Sequence, residues 1–95
     1  MYPSVKSVTP LEDYRLLLKF VNGEEKIFDV SPYLNIGKFS ELRDPSLFRS
    51  VVVKFDSIEW ANQLDIDPEI LYDKSVAPID QHATAGLTRR GRRAG

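Results

Sequence analysis

Tyr14-Arg15-Leu16-Leu17-Leu18-Lys19-Phe20-Val21-Asn22-Gly23-Glu24-Glu25-Lys26-Ile27-Phe28-Asp29-Val30 decides the fold. Tyr14, Leu16, Leu18 and Phe20 alternate with Arg15, Leu17, Lys19 and Val21, and Lys26, Phe28 and Val30 continue a two-residue period beyond Asn22-Gly23. This pattern predicts a β-hairpin. A two-residue Asn22-Gly23 loop would oppose Lys19 to Lys26 and Leu16 to Asp29, a poor register because like charges directly opposite each other are destabilising. A three-residue loop, Val21-Asn22-Gly23, with Gly23 in the left-handed region, pairs Lys19 with Glu25 and Arg15 with Asp29 instead. It also sets Leu16 against Phe28, Leu17 against Ile27 and Tyr14 against Val30. This second register is the expected one.

Upstream, Ser4 to Thr9 reads as a short first strand ended by Pro10, with a turn at Leu11-Glu12-Asp13. Downstream the period changes, and three pairs of capping residue plus proline appear: Ser31-Pro32, Asp44-Pro45 and Asp67-Pro68. Each presets a helix start, because the side-chain oxygen takes an orphan amide and proline fits the first helical position. The first turn ends near Gly37 as a left-handed cap, Phe39 to Arg43 adds a second short piece, and Asp44-Pro45 opens a third through Phe48. The β-branched run Val51-Val52-Val53-Lys54-Phe55, followed by Ile58-Glu59-Trp60, predicts a second hairpin. With Asp56-Ser57 as its loop, Phe55 faces Ile58, Lys54 faces Glu59 and Val53 faces Trp60. The last helix runs from Asp67 to about Ser75, with Ile66 stapled to Leu71 and with Ile70 and Leu71 as its apolar side. The fold class is therefore α+β: a small antiparallel sheet of two hairpins plus a first strand, with short helices between the hairpins and at the C-terminal end.

Ninety-five residues suit one domain, expected over residues 1–80. Cysteine is absent, so neither a disulfide framework nor a thiolate metal site is expected. No apolar run approaches the roughly 20 residues of a membrane span, and the start MYPSVKSV lacks a signal-peptide core, so no membrane association and a cytoplasmic location are expected. Charge is uneven. Residues 1–80 carry 9 Lys/Arg against 14 Asp/Glu, whereas residues 81–95 carry 4 Arg and no acid. An acidic body repels phosphate, which leaves nucleic acid as a partner only for the tail. Residues 81–95 are expected to be a disordered arginine-rich extension, with Arg89, Arg90, Arg92 and Arg93 as anion contacts.

Candidate chemistry is sparse. His82 is the single histidine and lies in the tail, where nothing positions a serine or carboxylate beside it. Asp65, Asp67 and Glu69 alternate, but a calcium loop needs 6–8 oxygens on a glycine-bearing turn, and Asp67 is already explained as a cap. No glycine-rich phosphate loop exists. No cofactor, metal or catalytic residue is therefore expected, and enzymatic activity is disfavoured. Trp60 is the discriminating side chain: packing against Val53 is expected, whereas an exposed indole would be a binding residue. Trp60 and Asp65 are the interaction candidates, for a protein partner or for self-association through exposed strand edges.

The order of elements resembles a bacterial family of small proteins, domain of unknown function 2442. The resemblance is carried by Val8-Thr9-Pro10-Leu11, Leu16-Leu17-Leu18-Lys19-Phe20 with Asn22-Gly23-Glu24, Phe28-Asp29-Val30 with Pro32-Tyr33-Leu34, and Leu47-Phe48. The stretch Ile58-Glu59-Trp60-Ala61-Asn62-Gln63-Leu64-Asp65-Ile66-Asp67-Pro68-Glu69-Ile70-Leu71-Tyr72 is similar to the family's closing motif. That motif usually has proline where Ala61 stands and glycine where Gln63 stands. The resemblance spans about residues 2–79 and implies a small α+β fold with no assigned catalytic residue. It also implies regulatory company, since some relatives precede a helix-turn-helix segment and some are encoded beside another small protein, as in a toxin-antitoxin-like pair. The expected function is a non-enzymatic interaction or regulatory module, and the alternative is a domain binding or transforming a small molecule. A cleft near Asp29, Trp60 and Asp65 would favour that alternative.

Overall fold

The structure is a computed structural model, and it describes residues 2–78. The predicted arginine-rich extension, with His82, lies outside the described residues. Strands β1 (Val5–Leu11), β2 (Arg15–Phe20) and β3 (Glu25–Asp29) form an antiparallel sheet in that order, with β2 at its centre. The β2–β3 register is the one that charge pairing selects: Arg15 opposes Asp29, Leu16 opposes Phe28, Leu17 opposes Ile27 and Lys19 opposes Glu25. The Val30 amide donates to the Tyr14 carbonyl at 2.8 Å, extending the same register. Gly23 sits at φ +93, and its amide donates to the Phe20 carbonyl, closing the three-residue loop. At 3.9 Å, with both side chains about half exposed, the Lys19–Glu25 pair contributes under about 1 kcal/mol; it specifies register more than it stabilises.

Pro10 does not end the first strand, which continues to Leu11 and pairs Pro10 with Leu16. The reason is position in the sheet, since an outer strand tolerates a residue without an amide donor. The turn falls one residue later than expected, on Glu12–Tyr14, where Asp13 and Tyr14 both adopt positive φ. Tyr14 is held there by its hydroxyl, which donates to the Arg43 carbonyl at 2.6 Å, and by its ring, edge-on to Phe48.

Between the hairpins run two 3-10 segments, Ser31–Tyr33 and Gly37–Arg43, and helix α1 (Pro45–Phe48). Gly37 is left-handed, as expected, but it opens the second segment and does not cap the first, which ends at Tyr33 with Leu34 as its cap. Asp44 caps α1 by accepting from the Ser46 amide. Ser31, however, is not a cap. Its amide (2.9 Å) and hydroxyl (2.7 Å) both donate to Asp29 Oδ1, two residues earlier at the strand's end, and the cap position falls on Val30 with no side-chain cap bond.

Strands β4 (Val52–Lys54) and β5 (Ser57–Glu59) form a separate two-stranded sheet. Its register differs from the expected one: Val53 opposes Ile58, Lys54 opposes Ser57, and the loop is Phe55-Asp56. Long-range bonds explain the difference. The Asp56 carbonyl accepts the Val5 amide, Asp56 Oδ1 accepts the Ser4 hydroxyl at 2.8 Å, and the buried Ser57 hydroxyl donates to the Ile66 carbonyl at 2.5 Å. Asp56 must therefore stand at the tip and Ser57 inside the strand. Lys54 still reaches Glu59 at 3.0 Å, now as a diagonal pair.

Helix α2 (Pro68–Lys74) is capped by Asp67, which accepts from the Glu69 amide. The segment after it returns along β3, where Ile27 and Val76 exchange two backbone bonds of 2.7 and 2.9 Å and cover that edge. One core joins both sheets and α2 through Leu16, Leu18, Phe28, Leu42, Phe48, Ile58, Trp60 and Leu71. No helix among the described residues is long and apolar enough to cross a membrane.

Candidate functional site

The turn of the first hairpin is used a second time after β5. In Phe20-Val21-Asn22-Gly23-Glu24, the Phe20 amide donates to the Glu24 carbonyl, the Gly23 amide to the Phe20 carbonyl, and the Glu24 amide to Asn22 Oδ1. In Trp60-Ala61-Asn62-Gln63-Leu64, the Trp60 amide donates to the Leu64 carbonyl, the Gln63 amide to the Trp60 carbonyl, and the Leu64 amide to Asn62 Oδ1. Gln63, at φ +68, occupies the place of Gly23. This turn reverses the chain so that Asp65 pairs with Glu59, and the following residues, Asp65-Ile66-Asp67, form a ridge leading into α2.

A depression lies on each side of that ridge. On one side a cleft of about 500 Å³ is bounded by the hairpin residues Lys54 to Glu59 and by Asp65 to Pro68. At its lip Phe55 is 89% exposed with φ 56, the most exposed of the large apolar residues among those described. On the other side a groove of about 210 Å³ is lined by Phe28, Tyr33, Phe39, Ile66 and Ile70, with Asp65 and Asp67 at its rim. The Tyr33 ring stacks on Phe28 (5.7 Å, 14°) and leans on Phe39 (5.6 Å), so the groove has a continuous aromatic wall.

The cleft's polar side chains are largely engaged. Lys54 and Glu59 bind each other, Asp56 holds Ser4, Ser57 holds the Ile66 carbonyl, and Asp67 caps α2. Asp65 is exposed and makes no side-chain hydrogen bond among the described residues. No group of three or more His, Cys, Asp or Glu side chains there is arranged to hold a metal ion.

Residues 5–77 match the family described as protein of unknown function (DUF2442). The chain belongs to that family. No curated protein and no solved structure matches it. The stretch matched to DUF2442 contains both hairpins, the ridge, the cleft and the groove, whereas Arg89, Arg90, Arg92 and Arg93 fall beyond it. Gln63, where the resemblance implies glycine, holds the left-handed position of the second turn. Where the resemblance implies proline, the Ala61 amide donates to the Ser50 hydroxyl at 3.0 Å, a bond proline cannot make.

Of the sequence candidates, Asp65 lines both depressions, and Trp60 lines neither. Trp60 is 2% exposed, and its indole Nε1–H donates to the Phe48 carbonyl at 2.9 Å. Asp29 is turned to Ser31 and is also absent from the cleft. Two residues escaped sequence reasoning. Phe55 was paired with Ile58 but stands at the loop tip, and Ile70 was assigned to the helix's core side but is 46% exposed beside the groove. No local signal marks Phe55, because Ser4, Val5 and Ile66 select which residues form the loop.

Proposed function

We propose that this protein is a non-enzymatic interaction module of the cytoplasm that regulates through a protein partner, with Phe55 and the cleft beneath it as the contact surface. The supporting observation is Phe55 itself. A non-glycine residue in the left-handed region costs about 1–2 kcal/mol, and an apolar side chain 89% exposed gives up burial worth about 1.5–3 kcal/mol. The bonds of Asp56 and Ser57 fix Phe55 in the loop, and its ring meets the Lys54 ammonium only at 6.0 Å, so a partner that covers the ring accounts for its exposure. The partner expected from the family resemblance is the product of a neighbouring gene, as in a toxin-antitoxin-like pair.

Co-expression with that gene product tests the reading. The wild-type chain is expected to co-purify with it and Phe55→Gly to lose it, while the Tm of Phe55→Gly stays level or rises because the left-handed position is relieved. A complex that survives Phe55→Gly, or no complex with the wild type, overturns it. The cleft supports a second reading, since about 500 Å³ is within the range of small-molecule sites. A ligand that raises the Tm of wild type and Phe55→Gly equally would favour that reading.

A further inference from the structure

The groove on the far side of the ridge has a specific chemistry. Its accessible aromatic faces are those of the half-buried Tyr33 and Phe39, with Phe28 buried behind Tyr33, and both charged residues that line it, Asp65 and Asp67, are acidic. Aromatic faces beside carboxylates suit one side chain above others, the planar guanidinium, which stacks on a ring while its N–H groups pair with oxygen. Lysine, a hydrated point charge, makes poorer use of such a wall. Asp67 spends Oδ1 on the Glu69 amide, which leaves its second oxygen and the Asp65 carboxylate to receive a guanidinium.

We propose that this groove is the docking site for the chain's own arginine-rich segment, Arg89-Arg90-Gly91-Arg92-Arg93, held within the same molecule. Charge complementarity is the first argument. The chain through Asp80 carries 9 Lys/Arg against 14 Asp/Glu, and residues 81–95 carry 4 Arg and no acid. Reach is the second. The stretch from Pro78 to Arg89 can extend to about 35 Å at roughly 3.3 Å per residue, longer than two of the molecule's three dimensions of 45, 30 and 18 Å. The tether also makes the docking unimolecular, so a weak contact is supported by a high effective concentration. Tyr33 and Phe39 offer the stacking faces, Asp65 and the second oxygen of Asp67 the acceptors, and Ile70 an apolar flank for aliphatic stems. This inference rests on the groove and not on the Phe55 surface across the ridge.

The test uses the full chain. Amide NMR spectra of the wild type are compared with those of a variant carrying Arg89→Ser, Arg90→Ser, Arg92→Ser and Arg93→Ser. The expected result is a shift of the amides of Tyr33, Phe39, Asp65, Ile66 and Ile70. It should be reproduced by Asp65→Lys, be independent of protein concentration, and shrink as salt screens the pairs. Groove amides that superimpose in wild type and the four-serine variant would overturn the proposal. So would a shift that grows with protein concentration, which would place a second copy's segment in the groove. Since Asp65 is exposed and caps no helix, Asp65→Lys keeps the fold while reversing the charge. Co-purification through Phe55 reads separately, so either idea can fail alone.

Discussion

Single positions carry more of this structure's logic than their chemistry suggests. Gln63 holds the left-handed place that Gly23 holds in the first hairpin, and it bears a Cβ where glycine costs nothing. Gln63→Gly should therefore stabilise by about 0.5–1 kcal/mol, the relief of strain outweighing the added freedom of the unfolded chain. Ala61→Pro, the other return to the usual motif, should destabilise by about 1 kcal/mol or more, because the Ser50 hydroxyl loses the Ala61 amide. Urea denaturation of the two variants separates the effects. Equal gains from both would show that the Ser50–Ala61 bond contributes nothing. Asp65 was visible in the sequence as an unexplained acid, because its neighbour Asp67 had a role and it had none. Phe55 was not visible, because exposure at a loop tip depends on a register that the hairpin's own residues do not set.

At the scale of elements, α2 is fixed to the first hairpin through Tyr72. Its hydroxyl donates to Glu24 at 2.6 Å, the Lys26 ammonium donates to its carbonyl at 2.9 Å while lying 3.7 Å from its ring centre, and Phe20 meets the ring edge-on. The Tyr72 hydroxyl, with Asn22 behind it, holds the Glu24 carboxyl below its ordinary value of 4.5. In return the bond to Glu24, aided by burial, raises the Tyr72 hydroxyl above its ordinary 10.0. A lowered carboxyl stabilises above its unfolded value, and that contribution is lost as pH falls through the folded one. A raised phenol stabilises below about 10.0, and its contribution is lost as pH rises through the folded value. Tyr72→Phe should thus move the Glu24 titration, followed by carboxyl carbon NMR, upward toward 4.5 and flatten the acid limb of the stability profile. An unmoved titration would count against the clamp. The β2–β3 hairpin was legible because its register follows from charges facing across a local turn. The β4–β5 hairpin was misread because its register is set by Ser4, Val5 and Ile66, far away in the chain. Pro10 misled for a related reason, since only the sheet order reveals β1 as an outer strand.

Over the whole molecule, the two sheets share no ladder but do share a core, and Leu71 and Trp60 lie fully or almost fully inside it. The structure should therefore unfold as one unit. Leu71→Ala should cost about 2–5 kcal/mol and lower the calorimetric and far-ultraviolet transitions together. Two separated transitions would mean that the β4–β5 sheet holds independently. The buried indole gives this architecture a practical property. As the protein's one tryptophan, with its N–H on the Phe48 carbonyl, Trp60 is a built-in optical reporter. Its emission belongs to the dry interior while the fold is intact and moves to longer wavelength when water enters. Events at the exposed ridge leave it dark to binding but bright to collapse, so the same cuvette can tell a lost partner from a lost fold.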